Sequence, residues 1–165
     1  KFDKIITWAV FDVADQEQAL IEQHRILKDG GYLLISGKNY SYNSSDKRAF
    51  IAERNARLKQ FPNHFTDVRK FIRISDKFGF DIKKGYGFPS RGDVGRMVFF
   101  DIINNQKKYF YEFVLILQKR DIPICNIEKI CDGFSITAKR MATDKGFDDV
   151  EKFFRWHKEK YGDEY

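Results

Sequence analysis

The chain opens on an unbroken apolar run, Ile5-Ile6-Thr7-Trp8-Ala9-Val10-Phe11. It is too apolar for a half-solvated strand, and the expectation is a strand buried on both faces of a parallel sheet. A helix start follows. Asp15 can accept from first-turn N–H groups while Gln18 reaches back, and Ala19, Leu20, Ile26 and Leu27 continue at helical spacing. Lys28 suits the negative end of that helix, and Gly30 or Gly31 is expected to close it. Residues 32–36 form a second short apolar strand. Strand, helix, Gly-Gly turn and strand make a βαβ unit, which predicts two parallel strands joined by a right-handed crossover.

Polar turn formers fill residues 37–45, and Ser45 or Asp46 can cap a second helix running to about Gln60 and stopped by Pro62. Val68, Phe71, Ile72, Ser75 and Phe78 keep helical spacing on a third helix, ended by Gly79. Residues 80–88 read as a strand in which Phe80, Ile82 and Lys84 alternate with Asp81 and Lys83, weakened at its far end by Gly85 and Gly87. Residues 97–103 leave strand and short helix both open, Asn104-Asn105 is a turn, and residues 109–117 form another strand. Beyond Arg120 the pattern turns polar and helical. Phe147, Val150, Phe153, Phe154, His157 and Tyr161 fall on one face of a terminal helix, which must pack on something. The expected organisation is a body, residues 1–120, and a helical extension, residues 121–165.

At 165 residues and 42% hydrophobic composition the chain has material for one substantial core, and its 17 Phe argue against disorder. No apolar run approaches the roughly 18 residues of a membrane span, and no signal peptide opens the chain, so the expectation is a cytoplasmic protein with no membrane partner. Cys125 and Cys131 lack a paired Cys-x-x-Cys spacing and are expected as plain buried thiols, with no metal. The net charge of +6 is uneven: residues 121–165 carry −2, and residues 46–96 carry 13 Lys and Arg against six acids. Such a segment attracts anions, or is simply the solvated face of two amphipathic helices. Phe50, Phe61, Phe65 and Phe71 suit helix burial better than a stacking platform, which ranks nucleic acid below a small anion as partner.

Phe2-Asp3-Lys4-Ile5-Ile6, Val10-Phe11-Asp12, Asp15, Ala19-Leu20, Arg25-Ile26-Leu27-Lys28, Gly30-Gly31 and Tyr32-Leu33-Leu34-Ile35-Ser36 together resemble, in order and spacing, the fourth strand, following helix and fifth strand of class I S-adenosylmethionine-dependent methyltransferases. The resemblance implies an α/β, Rossmann-like fold with strand order 3-2-1-4-5-7-6 and the last strand antiparallel. Residues 80–88 and 109–117 would then be strands six and seven, so that it covers roughly residues 1–119 and leaves the tail outside. The family's Gly-rich loop and ribose-binding acid have no counterpart in this sequence. With the initial Lys in place of Met, this makes the chain expected as the C-terminal part of a longer enzyme, strands four to seven only, with poor cofactor binding of its own. The strand edge at residues 5–11 is then expected to pair with a second copy, giving a homodimer, or to be covered by the chain's own tail.

The resemblance places Thr7, Trp8, Ala9, Val10 and Phe11 beside the methionine and methyl group of S-adenosylmethionine, with Trp8 alternatively a core residue. Lys38, Asn39, Tyr40, Tyr42 and Asn43 would face a small-molecule substrate, or form a polar turn. His64, the only histidine of the insertion between strands five and six, is the candidate general base, against an exposed or capping role; His24 and His157 read as structural. The Asn/Asp-Pro-Pro-aromatic motif of enzymes that methylate exocyclic amino groups of bases is absent from Thr7-Trp8-Ala9-Val10. The expected function is methyl transfer to a small anionic metabolite, such as a sugar-linked or nucleotide-linked compound; the competing class is a non-catalytic module of the same fold that binds protein or nucleic acid.

Overall fold

The computed structural model describes residues 1–61, 63–105, 107–125 and 127–163. Its elements alternate from the start: β1 (Phe2–Thr7), α1 (Gln16–Ile26), β2 (Leu27–Asn39), α2 (Lys47–Leu58), β3 (Phe65–Thr66), α3 (Val68–Ile74), β4 (Phe80–Phe88), a short α4 (Asp93–Arg96), β5 (Phe100–Asp101), β6 (Glu112–Lys119), β7 (Cys131–Asp132), α5 (Ile136–Asp144) and α6 (Val150–Tyr161). The fold is α/β, with a mixed, open seven-stranded sheet in the order β5-β4-β6-β2-β3-β7, and β1 paired to β2. β1 and β2 are parallel, as the βαβ pattern predicts, with Ile5 opposite Leu33 and Thr7 opposite Ile35. β6 runs antiparallel to β2 and to β4.

Local signals explain most boundaries. Asp15, Asp46 and Asp67 accept the backbone N–H three residues on and so cap α1, α2 and α3. Gly79, at φ 72°, closes the 3-10 turn that follows α3 and turns the chain into β4. β2 is the central strand: Leu33 and Ile35 are fully buried beside Leu115 and Leu117 of β6 in a core that also takes Leu20 of α1 and Phe71 of α3. A second cluster, built on Phe50, Phe65, Tyr111, Phe153 and Phe154, seats α6 against α2 and α5. Of the apolar face read for the terminal helix, Phe153, Phe154 and His157 are buried, Val150 is half-buried, Tyr161 is exposed, and Phe147 precedes the helix.

Several expectations are corrected. β1 is not buried on both faces: Phe2 is 59% and Ile6 71% exposed, because β1 lies at the sheet's border with β2 on one side only. It also ends at Thr7; Ala9 then takes φ 57° and residues 11–13 form a 3-10 turn, so the run to Phe11 is half strand and half turn. Gly30 and Gly31 do not close α1. Leu27 already is extended and pairs with Phe2, and Gly30, at φ 75°, serves the irregularity between the Phe2 and Lys4 pairings. In β4 the alternation through Lys84 is broken by a bulge between Ile82 and Lys84. α2 stops at Leu58, and the stop assigned to Pro62 lies outside the described residues. Phe61 is exposed, beyond the helix end, and Cys125 is exposed too. Cys131 is half-buried, and burial with Glu17 close by pushes its thiol up to about 12. Among the described residues no tail strand pairs with the β1 edge; the tail adds β7 to β3 at the other end of β2.

Candidate functional site

The carboxyl ends of β1 and β2 lie side by side, and β6, running the other way, begins there: Lys38 stands opposite Glu112 in the sheet register. Chain turning away from neighbouring strand ends opens a crevice at such a place in α/β sheets. Here it is a cleft of about 510 Å³ lined by Trp8, Ala9 and Asp12 after β1, by Ser36, Gly37 and Lys38 of β2, by Glu112 and Phe113 of β6, by Arg48 of α2, and by Arg91, Gly92 and Val94 after β4.

Its walls are held in place. Ala9, one of the few non-glycine residues at positive φ, donates its backbone N–H to Ser36 Oγ at 2.8 Å, fixing the turn that presents Trp8, which is 49% exposed. Asp12, buried, pairs with Lys38 Nζ at 2.5 Å, and the same ammonium donates to Asn63 Oδ1 at 2.7 Å. Gly37 leaves room for the Phe113 ring, which a Cβ there would meet at 3.1 Å. Arg91 donates its backbone N–H to Asp46 Oδ2 at 2.8 Å and a guanidinium N–H to the Tyr111 hydroxyl at 3.3 Å.

Glu112 is the chemically distinctive wall residue. Burial raises its carboxyl above the usual carboxylate range; Arg91 and Lys38 oppose that rise, and Asp12 and Asp93 add to it. Its Oε2 is shielded from solvent and has no hydrogen-bond partner among the described residues. Two acids, Asp12 and Glu112, thus face three cations, Lys38, Arg48 and Arg91, across one cleft.

The residues expected from sequence divide. Trp8, Ala9 and Lys38 line the cleft. Thr7 turns to α1, its Oγ1 accepting from Gln23 Nε2 at 2.8 Å, and Phe11 is fully buried in the main core. Asn39 is buried and donates Nδ2 to the carbonyls of Ser41 and Phe110, joining the end of β2 to the start of β6. Tyr40 borders a separate depression with Lys70, Lys129 and Asp132. Tyr42 is buried and donates to Glu53 Oε2 at 2.7 Å; burial with that carboxylate pushes its hydroxyl pKa up. His64 is half-buried, gives its backbone N–H to the Asp12 carbonyl at 2.7 Å, and does not line the cleft.

Asp12, Arg91 and Glu112 join the site only through the fold. A carboxylate at the head of an apolar strand is a weak signal, and nothing local tells that Lys38 lies opposite it. Among the described residues no group of three His, Cys, Asp or Glu is placed to hold a metal ion, and no helix is long and apolar enough to cross a membrane. No protein-family model matches the chain, and no curated protein matches it significantly.

Proposed function

We propose that this chain is the acceptor-side part of a class I S-adenosylmethionine-dependent methyltransferase, acting on a small anionic metabolite. One observation supports the reading above others. The neighbours β1, β2, β6 and β4, with β6 alone reversed, reproduce the order and directions that the resemblance expects of strands four, five, seven and six, and the cleft opens where β1 and β2 end.

The residues present fit one end of the cofactor. Trp8 offers an exposed aromatic face and Asp12 and Glu112 offer negative charge, both complementary to a sulfonium cation. When bound, S-adenosylmethionine supplies an electrophilic methyl group. Trp8 and Ala9 would contact it, Arg48 and Arg91 would attract the acceptor's negative charge, and alignment of the acceptor with the methyl is the main catalytic task. The reading requires a Gly-rich loop and a ribose-binding acid contributed by chain outside these 165 residues. The test is titration calorimetry of the complete protein with S-adenosylmethionine. Saturable binding is expected, weakened roughly tenfold by Trp8→Ala through loss of the aromatic contact. Absence of binding by the complete protein would overturn the reading in favour of a non-catalytic binding module.

A further inference from the structure

Arg48 enters the cleft from the first turn of α2 and Arg91 from the segment after β4. Both also line a smaller, outer lobe of about 350 Å³ with Ser45, Lys47, Ser90 and Arg96, so the two spaces share a basic wall. The acid nearest this wall is committed: Asp46 accepts from the backbone N–H of Ala49 through Oδ1 and from that of Arg91 through Oδ2. Arg96 faces Asp93 at 3.9 Å, whereas neither Arg48 nor Arg91 has a carboxylate within ion-pair distance among the described residues. Two guanidinium groups with no carboxylate in ion-pair contact, entering one concave space from two elements, are suited to the several oxygens of a phosphate-like group.

The opposite wall asks for a donor. Lys38 is engaged by Asp12 and Asn63, which leaves Glu112 Oε2 shielded and unmatched. Glu112 as a whole is only half-buried and lines the cleft, so its carboxyl can accept from a ligand O–H or N–H there. Arg91, Lys38, Asp12 and Asp93 are the charged groups that bear on this carboxyl.

We propose that the cleft binds a small molecule carrying a phosphate or equivalent oxyanion, held between Arg48 and Arg91, and a hydroxyl or amine hydrogen-bonded to Glu112. The oxyanion clamp stands without the methyl-transfer reading; only the assignment of the hydroxyl or amine as methyl acceptor rests on it. In that role the acceptor's proton passes to the Glu112 carboxylate, the new O–CH3 or N–CH3 bond forms, and the donor's S–CH3 bond breaks with its electron pair returning to sulfur.

The test is amide NMR titration of the full 165-residue chain with inorganic phosphate and with glycerol 3-phosphate. Saturable shifts are expected around Arg48, Arg91 and Glu112, with glycerol 3-phosphate several-fold tighter because it adds a hydroxyl. Arg48→Ala with Arg91→Ala should weaken both ligands roughly tenfold or more. Glu112→Ala should remove the preference for glycerol 3-phosphate while leaving phosphate as tight or tighter. Should the double variant lose spectral dispersion, the single Arg48→Gln replacement, at an exposed helix start, takes its place and is expected to weaken phosphate measurably. No saturable shift with phosphate, or unchanged phosphate affinity in a folded arginine variant, overturns the clamp. An unchanged preference in folded Glu112→Ala overturns the donor site. Phosphate binding in a protein that ignores S-adenosylmethionine would refute methyl transfer and keep the clamp; the reverse pattern would do the opposite.

Discussion

The His24 imidazole lies against Gly79, so close that a Cβ on Gly79 would collide with Nε2 and Cδ2 of the ring. The ring is itself buried, edge-on to Phe80 at 5.4 Å, and α1 is thereby seated on the turn that starts β4. Gly79 also needs its φ of 72°, which L side chains adopt only under strain. Gly79→Ala should therefore lower unfolding stability by roughly 2 kcal/mol or more, about half from the backbone conformation and half from the clash. In a His24→Ala background the clash vanishes and the conformational part stays. Urea unfolding of the four proteins of that cycle checks this; equal losses in both backgrounds would show that the ring contact contributes nothing.

Arg54 Nη1 is 3.0 Å from His157 Nδ1, linking α2 to α6 with both side chains buried. Arginine can only donate, so Nδ1 accepts and the ring is neutral. Burial, reinforced by the neighbouring guanidinium, lowers the His157 pKa from 6.5 to about 4. The unfolded chain then binds a proton that the folded chain refuses, so the His157 contribution is present above pH 6.5 and is lost as pH falls toward 4. The ring protons of His157 should titrate near pH 4 by NMR, and the melting temperature should fall across that window more in the native chain than in His157→Phe. A ring titrating at 6.5 would contradict this.

Outside its pairing with β2, β1 carries an open edge flanked by exposed Phe2 and Ile6, a template for another strand. The 165-residue chain by itself is expected to self-associate through this edge, and Phe2→Lys with Ile6→Lys should return it to monomer. Light scattering over a concentration series decides it. A native chain that stays monomeric throughout would rule out the pairing, as would association that the two lysines leave intact.

Much of the framework was legible because it is locally encoded. Asp15, Asp46 and Gly79 act within a turn of themselves, and the alternation of strand and helix through residue 39 dictates a parallel pair whatever follows. The burial of Phe153, Phe154 and His157 on α6 was likewise announced by period and side-chain type, though the same pattern did not tell that Tyr161 stays exposed. Misreadings arose where a residue's fate depends on a neighbour remote in sequence. An apolar strand reads alike whether a second strand covers it or not, and residues 2–7 have a neighbour on one side alone. The sequence makes Gly30 a turn former in either place, but pairing of Leu27 with Phe2 decides that it serves a bulge and not a helix end.

The candidate site follows the same division. Trp8, Ala9 and Lys38 entered the expected set through the resemblance, and the structure sets them where β1 and β2 end, at the kind of place where ligands gather in α/β sheets. Arg91 and Glu112 were not in that set, for they reach the cleft only after β4 and β6 are laid antiparallel across the sheet. The chain's order of apolar and capping residues determined which segments are strands and helices, since those preferences act over a few residues. Which charges share a cleft was decided by strand pairing across some 70 residues of intervening chain, between Lys38 and Glu112, and no local preference carries that information.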